Sequence, residues 1–215
     1  MKITIFGATG GVGACLVQEA LAAGHQVTAV VRDPARLTVA PPDGQAGQML
    51  RVLTADVMDP AAIGPAVEAA DAVLTAVGPR GTGPTSVITD SVRSIVAAMQ
   101  KAGTARLIMV SGSIAADDGG FLLRSLVKPA ARRTFLRHVC ADMRAAESEV
   151  ETSGLDWTIV RPPRLTSKPA SGSYRSAPEG SPPRGLSISR ADLAACLLAL
   201  LGDPATVRQH IGVAS

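Results

Sequence analysis

The stretch "IFGATGGVG", residues 5–13, closes a short apolar run with Gly7, Gly10 and Gly13, three apart. Glycines so spaced between a strand and a helix suit a phosphate cradle. The first permits a tight turn, the second lets backbone approach a pyrophosphate, and the third lets helix and strand pack closely. The helix that follows aims free N–H groups and a partial positive charge at the same point. Gly11 and Val12 belong to its first turn, and Thr9 can add a hydroxyl. Further on, "VVRDPAR" sets Arg32 and Asp33 directly behind a second apolar run, with Arg36 close by. At the end of the second strand of a dinucleotide-binding sheet, an acid binds the ribose 2′-hydroxyl and an arginine accommodates a 2′-phosphate. Arg32 stands nearest the strand end, so NADPH is expected over NADH.

These residues need a framework of alternating strands and helices. "KITIF" (2–6) reads as a first strand, followed by a helix from Gly11 that Gly24 stops. Further strands are expected at 25–31, 49–56, 71–77, 105–111 and 156–160. Helices are expected around Ile88–Met99, over about 131–152, and through Leu193–Leu201. In the second of these, Leu136, Val139, Met143, Ala146 and Val150 share one face. Strands alternating with helices imply an α/β fold: a doubly wound parallel sheet flanked by helices, in one domain over residues 1–215. Two stretches break the rhythm, about 112–130 and the Ser/Pro/Gly-rich 166–187. Loops of that length often close over a ligand.

Composition narrows the partners. The net charge is +3, but residues 121–190 alone hold 12 Lys/Arg against 6 Asp/Glu. Only five aromatics are scattered along the chain, Phe6, Phe121, Phe135, Trp157 and Tyr174. A nucleic-acid reader needs a basic face with stacking platforms, so a small anionic molecule is the better match. No apolar run reaches about 18 residues, and no membrane span is expected. The N-terminus lacks a secretory pattern. Cys15, Cys140 and Cys196 are far apart without metal-ligand spacing, and read as reduced thiols of a cytoplasmic protein. No metal site is expected, and the oligomeric state is expected to be a monomer or weak homodimer.

The motifs "FGATGGVG", "VVRDPARL", "ADVMD", "VGPRG", "MVSGS" and "SGLDWTIVRPPRLT" together resemble the atypical branch of the short-chain dehydrogenase/reductase superfamily. The biliverdin-IXβ reductase/flavin reductase type is the nearest likeness, with NmrA-like proteins as cousins. The resemblance implies a Rossmann-type fold and NAD(P)H. It implies that Arg32, helped by Arg36, meets the 2′-phosphate. It implies that Asp56 and Val57 contact the adenine, and that Val77, Gly78 and Pro79 pass beneath the nicotinamide ribose. A hydroxyl residue after the fifth strand lies near the nicotinamide in that family; Ser111 or Ser113 fills the role here.

The catalytic-tyrosine branch of the superfamily uses Tyr-x-x-x-Lys, in which lysine tunes the tyrosine to pass a proton. The single tyrosine of this chain, Tyr174, is followed four residues later by Pro178. Hydride acceptors that need no such acid are flat and conjugated: flavins, quinones, tetrapyrroles. The "PP-His" segment of the resembling family reads Pro162-Pro163-Arg164 here, and a second pocket histidine aligns with Met143, so the acceptor pocket is remodelled. Arg164 either holds a phosphate or carboxylate or forms a surface ion pair. Phe121 and Tyr174, in the two long loops, are the aromatics best placed to cover a flat substrate. Two functions follow: an NADPH-dependent reductase of a flat, anionic acceptor, or a non-catalytic NmrA-like sensor of NAD(P)H that regulates a partner.

Overall fold

The computed structural model describes residues 1–39, 49–79, 81, 83–115 and 136–215. Its first strand, β1 (Lys2–Phe6), is apolar or buried at Ile3, Thr4, Ile5 and Phe6 alike. A strand covered on both faces must lie inside a sheet, and β1 does. The elements that follow are α1 (Gly11–Ala22), β2 (Gln26–Val31), β3 (Leu50–Thr54), α2 (Pro60–Val67), β4 (Ala72–Thr75), α3 (Val87–Ala102) and β5 (Arg106–Val110). Then come α4 (Arg137–Glu151), β6 (Asp156–Arg161), β7 (Arg164–Thr166), β8 (Arg175–Pro178), β9 (Ser187–Ser189), α5 (Arg190–Leu201) and β10 (Gln209–Ala214). The main sheet runs β3-β2-β1-β4-β5-β6-β10-β8. Its neighbours are parallel except β8, which is antiparallel to β10. β7 and β9 form a separate parallel pair. This is the expected doubly wound α/β architecture.

Side-chain alternation builds the two layers. Ile3 and Ile5 face α1 and α5, packing with Leu16, Val17, Leu193 and Leu197. Phe6 faces the other side, with Ile63 of α2, Ile95 and Met99 of α3, and Ala146 and Val150 of α4. Thr4 shares that side and donates its hydroxyl to the Ala66 carbonyl at 2.6 Å.

Several elements differ from the sequence reading. The stretch 166–187 is not all loop, since it contains β8. β8 has no apolar alternation to betray it, because it is an edge strand whose partner, β10, lies more than thirty residues on. Neither β10 nor α2 was expected, although Asp59 before Pro60 is a strong helix start. Of the expected loop 112–130, residues 116–130 lie outside the described residues, as do residues 131–135 of the expected long helix. The buried face of α4 is Cys140, Asp142, Ala146, Glu147 and Val150, while Val139 and Met143 are half-buried. Hydrophobic periodicity misplaces that face because two of its members are carboxylates.

Both carboxylates are held by specific partners. Asp142 accepts the Ile88 N–H (3.0 Å), the Thr89 N–H (2.9 Å) and the Thr89 hydroxyl (2.6 Å). It therefore caps α3 from another helix. Glu147 receives a two-pronged bond from Arg161 at 3.1 and 2.7 Å. At the opposite end of the sheet, Arg106 donates to the Leu200 carbonyl at the C-terminus of α5 (2.7 Å) and to Thr158 Oγ1 (2.8 Å). A cation at the carbonyl end of a helix is favourably placed.

Asp142→Asn keeps the size of the side chain but loses the charge and one acceptor, leaving a buried donor unpaired. Such a loss costs about 1–3 kcal/mol, a fall in Tm of about 2–12 °C for a chain of this size. A thermal melt unchanged from the parent protein would show that α3 is capped by other means.

Candidate functional site

Strand order reverses between β1 and β4, so the connections from the two strands leave toward opposite sides and open a crevice at their carboxyl ends. An open cleft lies there. Its walls include Phe6, Gly7, Thr9 and Gly10 behind β1, Val30 to Arg32 at the end of β2, Ala55 and Val57 behind β3, and Ala76 to Pro79 behind β4.

The glycines have no room to be anything else where the turn is tightest. Gly7 has φ +80°, and a Cβ there would stand 2.7 Å from the Ala76 carbonyl carbon. A Cβ on Gly13 would run into the Gly7 carbonyl and lie 2.9 Å from the Ala8 Cα. Gly10 differs: a Cβ would meet only the Gly7 oxygen, at 3.2 Å, and otherwise open space. Gly10 faces the cleft, whereas Val12 and Gly13 are buried beneath it.

The helix end beside this turn carries free donors. No side chain caps α1. By contrast, Asp59 accepts from Ala61 N–H in α2, Asp142 serves α3, and Ser189 accepts from Asp192 N–H in α5. The first amides of a helix have no intrahelical acceptor, so those of α1 remain available to an anion. A turn without side chains, opening onto uncapped amides, fits a diphosphate.

Arg32 and Arg36 both line the cleft. Asp33 is turned away: its carboxylate accepts the Ala35 N–H (3.1 Å) and caps the 3-10 turn Pro34–Arg36. Val57, Val77, Gly78 and Pro79 form cleft wall, but Asp56 does not. Its carboxylate accepts the Met58 N–H at 3.1 Å. Met58, exposed and lining the cleft, was missed in the sequence, where nothing distinguishes it from a surface methionine.

The serines after β5 separate by environment. Ser111 is 7% exposed and its Oγ has no hydrogen-bond partner among the described residues; Ser113 is half-buried. Arg164 is exposed on β7. Phe121 lies outside the described residues. Tyr174 does not stand free in a loop as expected. It packs on the α1/α5 layer, beside Cys196 of α5. Burial, then Cys196 and Asp192, raise its phenol above the ordinary range. Burial likewise pushes the Cys196 thiol up to about 11.

The segment around Tyr174 is a strap tied to α5. Asp192, 2% exposed, accepts the N–H groups of Ser171 (2.9 Å) and Gly172 (2.9 Å) and the hydroxyls of Ser171 (3.0 Å) and Ser189 (2.8 Å). Burial alone would raise its pKa, but these donors outweigh it and hold the carboxyl below its usual range. Arg190, the first residue of α5, lies across Gly11 and donates to Ser167 Oγ at 2.8 Å. Neither residue was expected in a site, because Ser167, Ser171 and Gly172, which they hold, lie 20 or more positions away. Elsewhere, Glu147, Glu151 and His210 bring ligand atoms within 4.8 Å of one another. Glu147 there is engaged by Arg161, and Glu151 lies 2.9 Å from His210 Nε2. No described helix is long and apolar enough to cross a membrane.

Residues 7–204 match a family described as NAD(P)H-binding. A Saccharomyces cerevisiae protein, UPF0659 protein YMR090W, is 29% identical over 222 residues, covering 99% of this chain and 92% of its own. Among solved structures, ChuY of Escherichia coli O157:H7, described as an anaerobillin reductase, is 28% identical with a TM-score of 0.76, over 100% of this chain and 97% of its own. A short-chain dehydrogenase/reductase of Veillonella parvula, solved with NADP, is 23% identical with a TM-score of 0.82, over 100% and 94% of the two chains. The last likeness speaks to the fold.

The glycine geometry separates stability from binding. Gly13→Ala overpacks the turn at a cost of about 1–3 kcal/mol, and both Tm and nucleotide affinity should drop. Gly10→Ala should keep most of the stability while weakening NADPH in a fluorescence titration. Equal melting losses in the two variants would contradict this.

Proposed function

The chain belongs to the NAD(P)H-binding family, and on that footing we propose that it is an NADPH-dependent reductase of a flat, conjugated, anionic acceptor of flavin, quinone or tetrapyrrole type. The observation that carries the cofactor choice is the division of labour behind β2. Arg32 and Arg36 line the cleft while Asp33 is committed to capping a turn. An acid that would favour the 2′-hydroxyl of NADH is thereby withdrawn, and two cations remain for a 2′-phosphate. The glycine turn and the uncapped first turn of α1 take the diphosphate. Val77, Gly78 and Pro79 support the nicotinamide ribose.

The nicotinamide, when bound, supplies the hydride. The chain contributes orientation and charge. Ser111 is the hydroxyl we assign to the nicotinamide end, because it is buried and lacks another partner among the described residues. Tyr174 is not a proton donor in this reading: it is half-buried against α5 beside Cys196, and burial raises its pKa. The acceptor takes its proton from water. Two further points favour a flat, anionic acceptor. The basic half of the chain includes Arg164, Lys168 and Arg175 around the strap. The ChuY relative, an anaerobillin reductase, points toward a tetrapyrrole-type molecule. We place the protein in the cytoplasm, as a monomer or weak homodimer.

Arg32→Ala should erase the preference for NADPH and leave NADH binding nearly unchanged. The lost charge-assisted contact is worth roughly 1.5–3 kcal/mol, about 10- to 100-fold in Kd. Equal affinities for the two cofactors in the parent protein would overturn the assignment.

Stopped-flow mixing with NADPH and a panel of FMN, quinones, linear tetrapyrroles and dyes tests the reaction. Turnover with at least one acceptor is expected, and Tyr174→Phe should keep most of it. A fall of about a hundredfold or more, as when a general acid is removed, would restore Tyr174 to the chemistry. Tight NADPH binding with no turnover on the whole panel would instead establish the NmrA-like sensor.

A further inference from the structure

Arg190 presents an electrostatic problem. A Cβ built on Gly11 would stand 2.7 Å from Arg190 Nε and 2.8 Å from its Cδ, so the arginine side chain lies directly on the first residue of α1. The N-terminus of a helix carries partial positive charge, and a cation there is disfavoured. α1 has no capping side chain to offset it. Arg190 makes no ion pair with any carboxylate among the described residues, and Asp192, two residues on, is already occupied by Ser171, Gly172 and Ser189. Its charge reaches Cys15, where it opposes the burial that pushes that thiol up. The guanidinium is held in place by Ser167 Oγ, 2.8 Å from Nη1. A glycine at position 11 clears the space that this arrangement requires.

An anion shared by the helix end and the guanidinium resolves the conflict. We infer that Arg190 is a diphosphate ligand of the dinucleotide, reaching the phosphates from α5 on the opposite side of the glycine turn from Arg32 and Arg36. A guanidinium offers several donors in a planar fork and binds phosphate oxygens with charge assistance. Ser167 and Asp192 then give Arg190 a second consequence. The same few residues of α5 grip both the phosphates and the strap at 167–172, so occupancy of the cleft fixes the strap.

The role assumes a dinucleotide in the cleft, and the test keeps the two claims apart. Kd values for NADPH, NADH and adenosine 2′-monophosphate are measured for the parent protein, Arg190→Gln, Arg190→Lys and Arg32→Ala. Arg190→Gln should weaken NADPH and NADH by the same factor, about 10- to 100-fold, because both carry the diphosphate. It should leave adenosine 2′-monophosphate unchanged, whereas Arg32→Ala weakens the two ligands that bear a 2′-phosphate. Arg190→Lys should recover part of the loss. Without nucleotide, the Tm of Arg190→Gln should equal or exceed that of the parent, since a cation leaves a positive helix end. Parent-like affinity for NADPH in Arg190→Gln would overturn the inference and leave the cofactor reading intact. A large fall in Tm without ligand would also overturn it, by showing that Arg190 is structural. No binding of either dinucleotide to the parent protein would overturn both.

Discussion

A helix cannot satisfy the amides of its own first turn, and much of this molecule is organised by how that requirement is met. In α2 the answer is local: Asp59 bonds the next turn. In α5 it is nearly local, through Ser189. In α3 it is remote, since Asp142 arrives from α4, more than fifty residues along the chain. That bond locks two helices on the same face of the sheet together where their apolar contact alone would leave register free. In α1 the requirement is left open. α4 too begins without a side-chain cap, but the open end of α1 falls where the strand order reverses and the crevice forms.

The rest of the site is arranged around that open end. β1 brings the turn to it, and the absence of side chains at Gly7 and Gly13 lets strand and helix close without blocking it. β2 delivers two arginines to one side while Asp33 stays out of the cleft. α5 packs against α1 through Leu193 and Leu197 and so lays Arg190 across Gly11. Apolar packing between two helices thus sets the position of a charge. Asp192 adds the strap to the same body, burying a carboxylate that only a full set of donors makes tolerable.

What could be read in the sequence and what could not divides by distance along the chain. The glycine turn, the order of the first strands and Arg32 were legible because each is defined by neighbours within a few residues. Position at the strand end put Arg32 ahead of Asp33 in sequence, and the turn Pro34–Arg36 adds where the carboxylate goes. Asp142, Glu147, Arg190 and Asp192 look like surface charges in sequence, yet each meets partners 14 to 54 positions away. Tyr174 was misjudged for the same reason. A tyrosine amid serine, proline and glycine reads as free, and only the path of the strap over α5 supplies its neighbour Cys196. β8 escaped notice because an edge strand needs no apolar alternation and its partner comes later.

The position of β10 between β6 and β8 has a consequence for biosynthesis. A chain emerges N-terminus first, and the described walls of the cleft come from residues up to Val87. Among the described residues β8 pairs with β10 alone, so the strap cannot find its edge until residues 209–214 have been made. α5 also emerges late, and without Leu193 and Leu197 the layer of β1 and α1 behind the crevice lacks its cover, so crevice and strap are completed together. A ligand that binds only the folded unit shifts folding toward it by mass action, so a bound dinucleotide stabilises the completed domain and not its first half.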